Sequence, residues 1–96
     1  MRAAILVTAL LCAPAHAGRY ADLLAQCREP VAICHEEINR AIKAEAKARD
    51  VEPNKLDTLA KRAQQYCYAE ATRAQCGDDP AGWFPVYIRY IDELLG

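Results

Sequence analysis

Apolar residues recur along most of this chain at spacings of three and four, the period of an α-helix. Tyr20, Leu23, Leu24 and Cys27 fall at i, i+3, i+4 and i+7 and predict a short helix over 19–28. Pro30 stops it, since the residue before a proline avoids the α region, and Pro30 also suits the first turn of a new helix. That helix is expected over 31–49, on a narrow stripe of Cys34, Ile38, Ala41, Ile42 and Ala48 that Glu45 interrupts. Residues 50–54 read as a turn. Asn54 is the expected N-cap of a third helix over 55–75, with Asp57 three residues on, and Gly77 is its expected C-cap. The third stripe is Leu56, Leu59, Ala60, Ala63, Tyr66, Cys67, Ala71 and Ala74. After a loop over 78–82, a fourth helix over 84–95 is apolar along two lines. One holds Phe84, Ile88, Ile91 and Leu95; the other holds Trp83, Tyr87, Tyr90 and Leu94. No strand-like alternation interrupts the series. The pattern predicts an all-α fold: a small helical bundle built on an antiparallel hairpin of the second and third helices.

The first 17 residues do not fit that series. Arg2 precedes an uncharged apolar run over 3–11, and Ala15-His16-Ala17 is a small-x-small cleavage site. This is the form of a secretory signal peptide, too short to span a bilayer, so the mature chain is expected to begin at Gly18 and to be periplasmic or secreted. Leu11 before Cys12 argues against a lipid anchor. Removing residues 1–17 leaves 79 of the 96 residues, a single domain with 11 basic and 13 acidic side chains. That balance gives no basic excess for nucleic acid. A chain this short buries only about 60% of its unfolded surface and needs a staple.

The four mature cysteines, Cys27, Cys34, Cys67 and Cys76, supply one in an exported chain, where an even number implies disulfides. Three pairings are open. In a hairpin turning near residue 52, Cys34 and Cys67 lie at similar distances from the turn, and so do Cys27 and Cys76. Nested pairing is therefore expected, 34 with 67 and 27 with 76. The inner bridge would close about 33 residues and contribute about 3.5–4 kcal/mol on the chain-entropy model. Cys67 and Cys76 point to opposite sides of a continuous helix, so both face the partner only if the helix ends near 75.

No catalytic constellation emerges. His35-Glu36-Glu37 begins like a zinc-protease helix, but the second histidine is replaced by Asn39. Cys34-His35 lacks the C-x-x-C-H spacing of covalent haem, and a zinc set of Cys34, His35, Cys67 and Cys76 competes with disulfides. His35 is read as a solvated helix residue. With the cysteines bridged, no thiolate nucleophile is expected. The chain is read as a non-enzyme with no cofactor and no metal. The excess lies in the last helix. If Phe84, Ile88, Ile91 and Leu95 cover the hairpin, then Trp83, Tyr87 and Tyr90 remain as an exposed aromatic line of interface composition, a candidate partner-binding face.

Leu23-Leu24-Ala25-Gln26-Cys27, then Ala32-Ile33-Cys34 with Ile38, resembles the opening of periplasmic immunity proteins that protect bacteria from type VI secreted effectors. Tyr66-Cys67 and Tyr90-Ile91 match their central cysteine and final-helix segments. The chain lacks that family's glycine-tyrosine step after the second cysteine and its terminal proline-cysteine. The resemblance covers about half of the mature chain. It implies an all-helical, disulfide-bonded, often dimeric inhibitor of a cell-wall-cleaving effector. The expected function is thus a small exported binding protein, with a protein partner or a second copy as ligand. The alternative is a structural or accessory envelope protein without a heterologous ligand.

Overall fold

The computed structural model describes residues 18–96; the expected signal segment, 1–17, lies outside them. Helices α1 (Arg19–Ala25), α2 (Val31–Ala48), α3 (Pro53–Tyr68) and α4 (Trp83–Leu95) follow in order, with one 3-10 turn, Arg73–Gln75, between the last two. The expected small all-α, disulfide-stapled fold is what forms. Among the described residues no helix is long and apolar enough to cross a membrane.

Helix α4 is the centre of the bundle. Phe84, Val86, Tyr87, Ile88, Ile91 and Leu95 are all buried, so its apolar surface runs round most of the helix. It packs chiefly on α3 and α1. Helix α2 adds a row at i, i+4 and i+8, Ile38, Ile42 and Ala46, and α3 adds Leu56, Leu59, Ala63 and Cys67. These rows are narrow and partly alanine. They meet each other little, and α4 reaches α2 through the stack of Phe84 on His35 at one end and the bond from Arg49 to the Leu95 carbonyl at the other. Ile42, Ile88 and Ile91 are the largest fully buried side chains, each stabilising the fold by about 1.5–3 kcal/mol through area removed from water.

The turn between α2 and α3 is a Schellman motif. Val51 N–H donates to Ala46 O (2.8 Å) and Asp50 N–H to Lys47 O (3.2 Å). Asp50 takes the left-handed position, φ 60°, where glycine is usual. Helix α3 starts two residues earlier than the Asn54 cap predicted: Pro53 stands in its first turn, where a missing N–H costs nothing. Asn54 is inside the helix, its carbonyl accepting from Thr58 Oγ1 at 2.9 Å.

The nested disulfide pairing is wrong. The bridges are Cys27–Cys34 and Cys67–Cys76, spanning 7 and 9 residues. Cys34 and Cys67 do not meet because the start of α4 stands between them: His35, next to Cys34, stacks on Phe84 at 4.3 Å, while Cys67 shares a recess with Trp83. The second bridge also explains why α3 stops at Tyr68 rather than 75. Nine helical residues would separate the two cysteines by about 13.5 Å, and their Cα atoms are 5.6 Å apart. Ala69 turns extended (ψ 136°), and the Thr72 hydroxyl donates to the Tyr66 carbonyl to close the break. Closing so few residues contributes about 2.5 kcal/mol per bridge on the chain-entropy model, less than a nested bridge would.

Helix α1 ends at Ala25, before Cys27, and two side chains hold it. Asp92, buried on α4, accepts from the Tyr20 N–H (2.9 Å) and the Ala21 N–H (2.9 Å), so the cap of α1 comes from another helix. Glu45, which breaks the stripe of α2, accepts from the Tyr20 hydroxyl and from Arg19 and Arg49. Arg49 also donates to the Leu95 carbonyl, tying the C-terminal ends of α2 and α4 together. The Tyr20 hydroxyl, then the Arg19 side chain, holds the Glu45 carboxyl below its ordinary value of 4.5. Burial, then the hydrogen bond to Glu45, pushes the Tyr20 phenol up to about 12.

Two outcomes follow from these contacts. Non-reducing tryptic digestion should link peptide 20–28 to 29–40 and peptide 63–73 to 74–89; a link between 29–40 and 63–73 would restore the nested pairing. Stability should fall at both pH extremes. A carboxyl with a lowered folded pKa stabilises above its ordinary value of 4.5 and loses that contribution as pH drops through the folded value. A phenol raised from 10.0 to about 12 stabilises below pH 10 and loses that contribution as pH climbs toward 12. Glu45→Gln, measured by thermal melting against pH, should flatten the acid limb; an unchanged limb would remove Glu45 from the anchor.

Candidate functional site

The three aromatic residues expected to form a contact face do not stand clear of the bundle. Tyr87 is only 4% exposed, a core residue, and Trp83 and Tyr90 are half-buried against the core. The rings of Trp83, Phe84 and Tyr87 form one cluster, with centroids 5.7–5.9 Å apart in edge-on and tilted arrangements that suit aromatic pairs. Burial, then the charge of Asp57 on α3, raises the Tyr87 phenol above 10.0, placing that side chain against the α3 start. The expectation of an uncovered line is corrected: with α4 inside the bundle, α3 covers one line while α2 and α1 cover the other.

The exposed apolar side chains lie elsewhere. Leu23, Val31, Ile33 and Tyr68 are the large ones, with Ile33 at 53% and Tyr68 at 75%. Leu23, Val31 and Ile33 surround the Cys27–Cys34 loop, while Tyr68 follows Cys67. The two loops come together at one end of the molecule, because Leu24, Val31 and His35 share a groove of about 640 Å³ with Tyr66, Cys76 and Arg89. Across the Cys67–Cys76 loop lies a second recess, about 450 Å³, lined by Tyr68, Arg73, Pro80 and Trp83. Cys76 and Asp79 line both, so that loop is the ridge between two concavities.

This end can do contact chemistry of a mixed kind. Tyr68 and Trp83 offer aromatic faces, Arg73 and Asp79 flank them with opposite charge, and His35 is partly buried through its stack on Phe84 rather than solvated as expected. A third pocket, about 720 Å³, sits at the α2–α3 turn, where Lys43, Lys47, Asp50, Glu52 and Asp57 rim Ala46, Val51 and Leu56. Its rim carries two lysines and three carboxylates. Among the described residues no group of three or more histidine, cysteine, aspartate or glutamate side chains could hold a metal ion. All four cysteines among the described residues are in disulfides, leaving no thiolate among them.

Of the three residues expected at the face, only Trp83 borders the apolar end. Tyr68 was missed, and its signal was present: in Tyr66-Cys67-Tyr68 the first two lie on the apolar stripe, which turns a large aromatic at the third to the outside. Leu23 falls on the apolar face predicted for the first helix and Ile33 on no predicted stripe, so the sequence marks neither as part of an exposed end.

No protein-family model matches the chain, and neither does any curated protein or solved structure.

The assignment separates cleanly by mutation. Tyr87→Ala should cost about 3–5 kcal/mol of stability, the range of buried aromatic truncation. Tyr68→Ala should cost under about 0.5 kcal/mol, as exposed positions do. Urea unfolding of both variants measures this. Comparable losses would mean that Tyr68 is part of the core.

Proposed function

We propose that this chain is a small exported helical protein that acts by binding another protein through its disulfide end. The observation that carries the reading is that exposed Val31 and Tyr68 border two concavities that meet at the Cys67–Cys76 loop, while Leu23 and Ile33 are exposed beside and within the Cys27–Cys34 loop. Scattered single apolar side chains on a surface are ordinary, but exposed apolar side chains that border an aromatic recess are interface composition. The two bridges suit an oxidising compartment, and Ala15-His16-Ala17 before Gly18 supports export to the periplasm or beyond. The resemblance to periplasmic immunity proteins supports an effector that attacks the cell envelope as the partner, with this chain as its inhibitor. Binding there would need no bond-making chemistry from the chain.

The same apolar end would also serve an accessory envelope protein that pairs with its own copy. One experiment separates the two. The exported protein and its Tyr68→Ala and Ile33→Glu variants are run over size exclusion alone, then used to capture partners from a periplasmic extract containing the candidate effector. The binding reading expects a stoichiometric complex with the effector that both variants weaken tenfold or more. A dimer that the variants dissociate, with no effector retained, supports the accessory protein.

A further inference from the structure

We propose that cleavage before Gly18 completes a site on α4: the new α-ammonium of Gly18 becomes the cationic partner of the buried Asp92 carboxylate and locks α1 onto the bundle. The proposal rests on the export reading above and adds to it a structural role for the cut. Hydrolysis of the Ala17–Gly18 amide takes up one water, leaving a carboxylate on Ala17 and an ammonium on Gly18.

Three observations place the two groups together. Asp92 is 9% exposed and takes one backbone N–H on each oxygen, from Tyr20 and Ala21. A carboxylate offers about four acceptor positions, so about two remain. Among the described residues no contact-distance ion pair to it is formed: Arg19 lies close enough to feel its charge, but its guanidinium pairs with Glu45. A buried carboxylate without a cation is costly. Gly18 is pressed against this group: a Cβ there would sit 2.4 Å from Asp92 Cγ and 2.4 Å from Oδ2, and its φ of +141° is a conformation side chains rarely adopt. Two atoms bonded to one Cα are about 2.5 Å apart, so the Gly18 nitrogen lies within about 5 Å of that oxygen. As a peptide N–H that nitrogen carries no charge; as an ammonium it falls within the range over which an opposite charge favours the ionised form. The sequence puts the small-x-small cleavage site directly before this residue.

The charged and titratable groups that contacts bring to this end are Arg19, Tyr20 and Asp22 on α1, Glu45 on α2 and Asp92 on α4. Glu45 titrates on the acid side and Tyr20 near 12, which leaves the range of an α-amino group clear between them.

The test compares a chain beginning at Gly18 with one carrying two extra alanines before it, each with Asp92 and with Asp92→Asn. At about pH 6.5 the Gly18 chain should melt roughly 4–8 °C higher. An ammonium whose pKa is raised by folding stabilises below its unfolded value of about 8 and loses the contribution as pH rises through the folded value. The gap should therefore close by about pH 10 and be absent with Asp92→Asn. Independently, NMR titration of the Gly18 amine should give a pKa above that of the urea-unfolded chain. Equal melting of the two chains, a gap that survives Asp92→Asn, or an amine that titrates as in the unfolded chain overturns the proposal. If Asp92→Asn does not fold, the amine titration decides. These start points are set by preparation, so failure here leaves export itself standing. Export is read separately, from the intact mass of the secreted protein.

Discussion

The burial of α4 between α3 on one side and α1 and α2 on the other is the constraint on which the rest of the structure depends. Two alanine-rich rows cannot make a core by closing on each other, because they remove too little apolar area from water. A helix with buried residues on most of its circumference supplies the missing area. Ile88 and Ile91 are fully buried, as is Ile42 opposite them. Once α4 is inside, the aromatic cluster at its start becomes part of the packing, and the apolar side chains left outside are those around the loops.

The disulfides follow from the same arrangement. With α4 standing between the open ends of α2 and α3, no bridge can cross from Cys34 to Cys67. Each cysteine instead pairs within its own segment, fixing the chain where it leaves α1 for α2 and where it leaves α3 for α4. The bridges thus shape two short loops rather than tie helices together, and tertiary cohesion is left to α4 and to polar anchors. Asp92 and Glu45 are the chief ones. Each accepts from α1, and each would be a liability on an apolar face without that partner.

Much of this was legible in the chain. The helices, their order and the all-α class follow from the three-four spacing, and the doubled apolar lines of the last helix marked it as unlike the others. What the lines could not tell was whether the second faced solvent or another helix, because periodicity reports amphipathicity and not neighbours. Reading a thin hairpin as the frame turned a core helix into an outer one and Tyr87 into a contact residue. The equal spacings about Pro53 pointed to nested bridges for a similar reason: distance along two helices was taken for proximity across them. Gly77 did mark a stop in the left-handed conformation, φ 73°, but of the 3-10 turn, since α3 had already ended at Tyr68. Glu45 looked like a flaw in its stripe, and its reason, the Tyr20 hydroxyl, lies 25 residues away in sequence.

The central claim is that α4 is the core of the bundle and not a helix laid on a clamped hairpin. Native-state hydrogen exchange tests it most directly, because the slowest amides report the element that opens only with global unfolding. The account predicts that the amides of Ile88 and Ile91 exchange last, with those of Ile42 and Ala63 beside them. If α4 exchanges early while α2 and α3 stay protected together, the hairpin is the frame after all and the account is wrong.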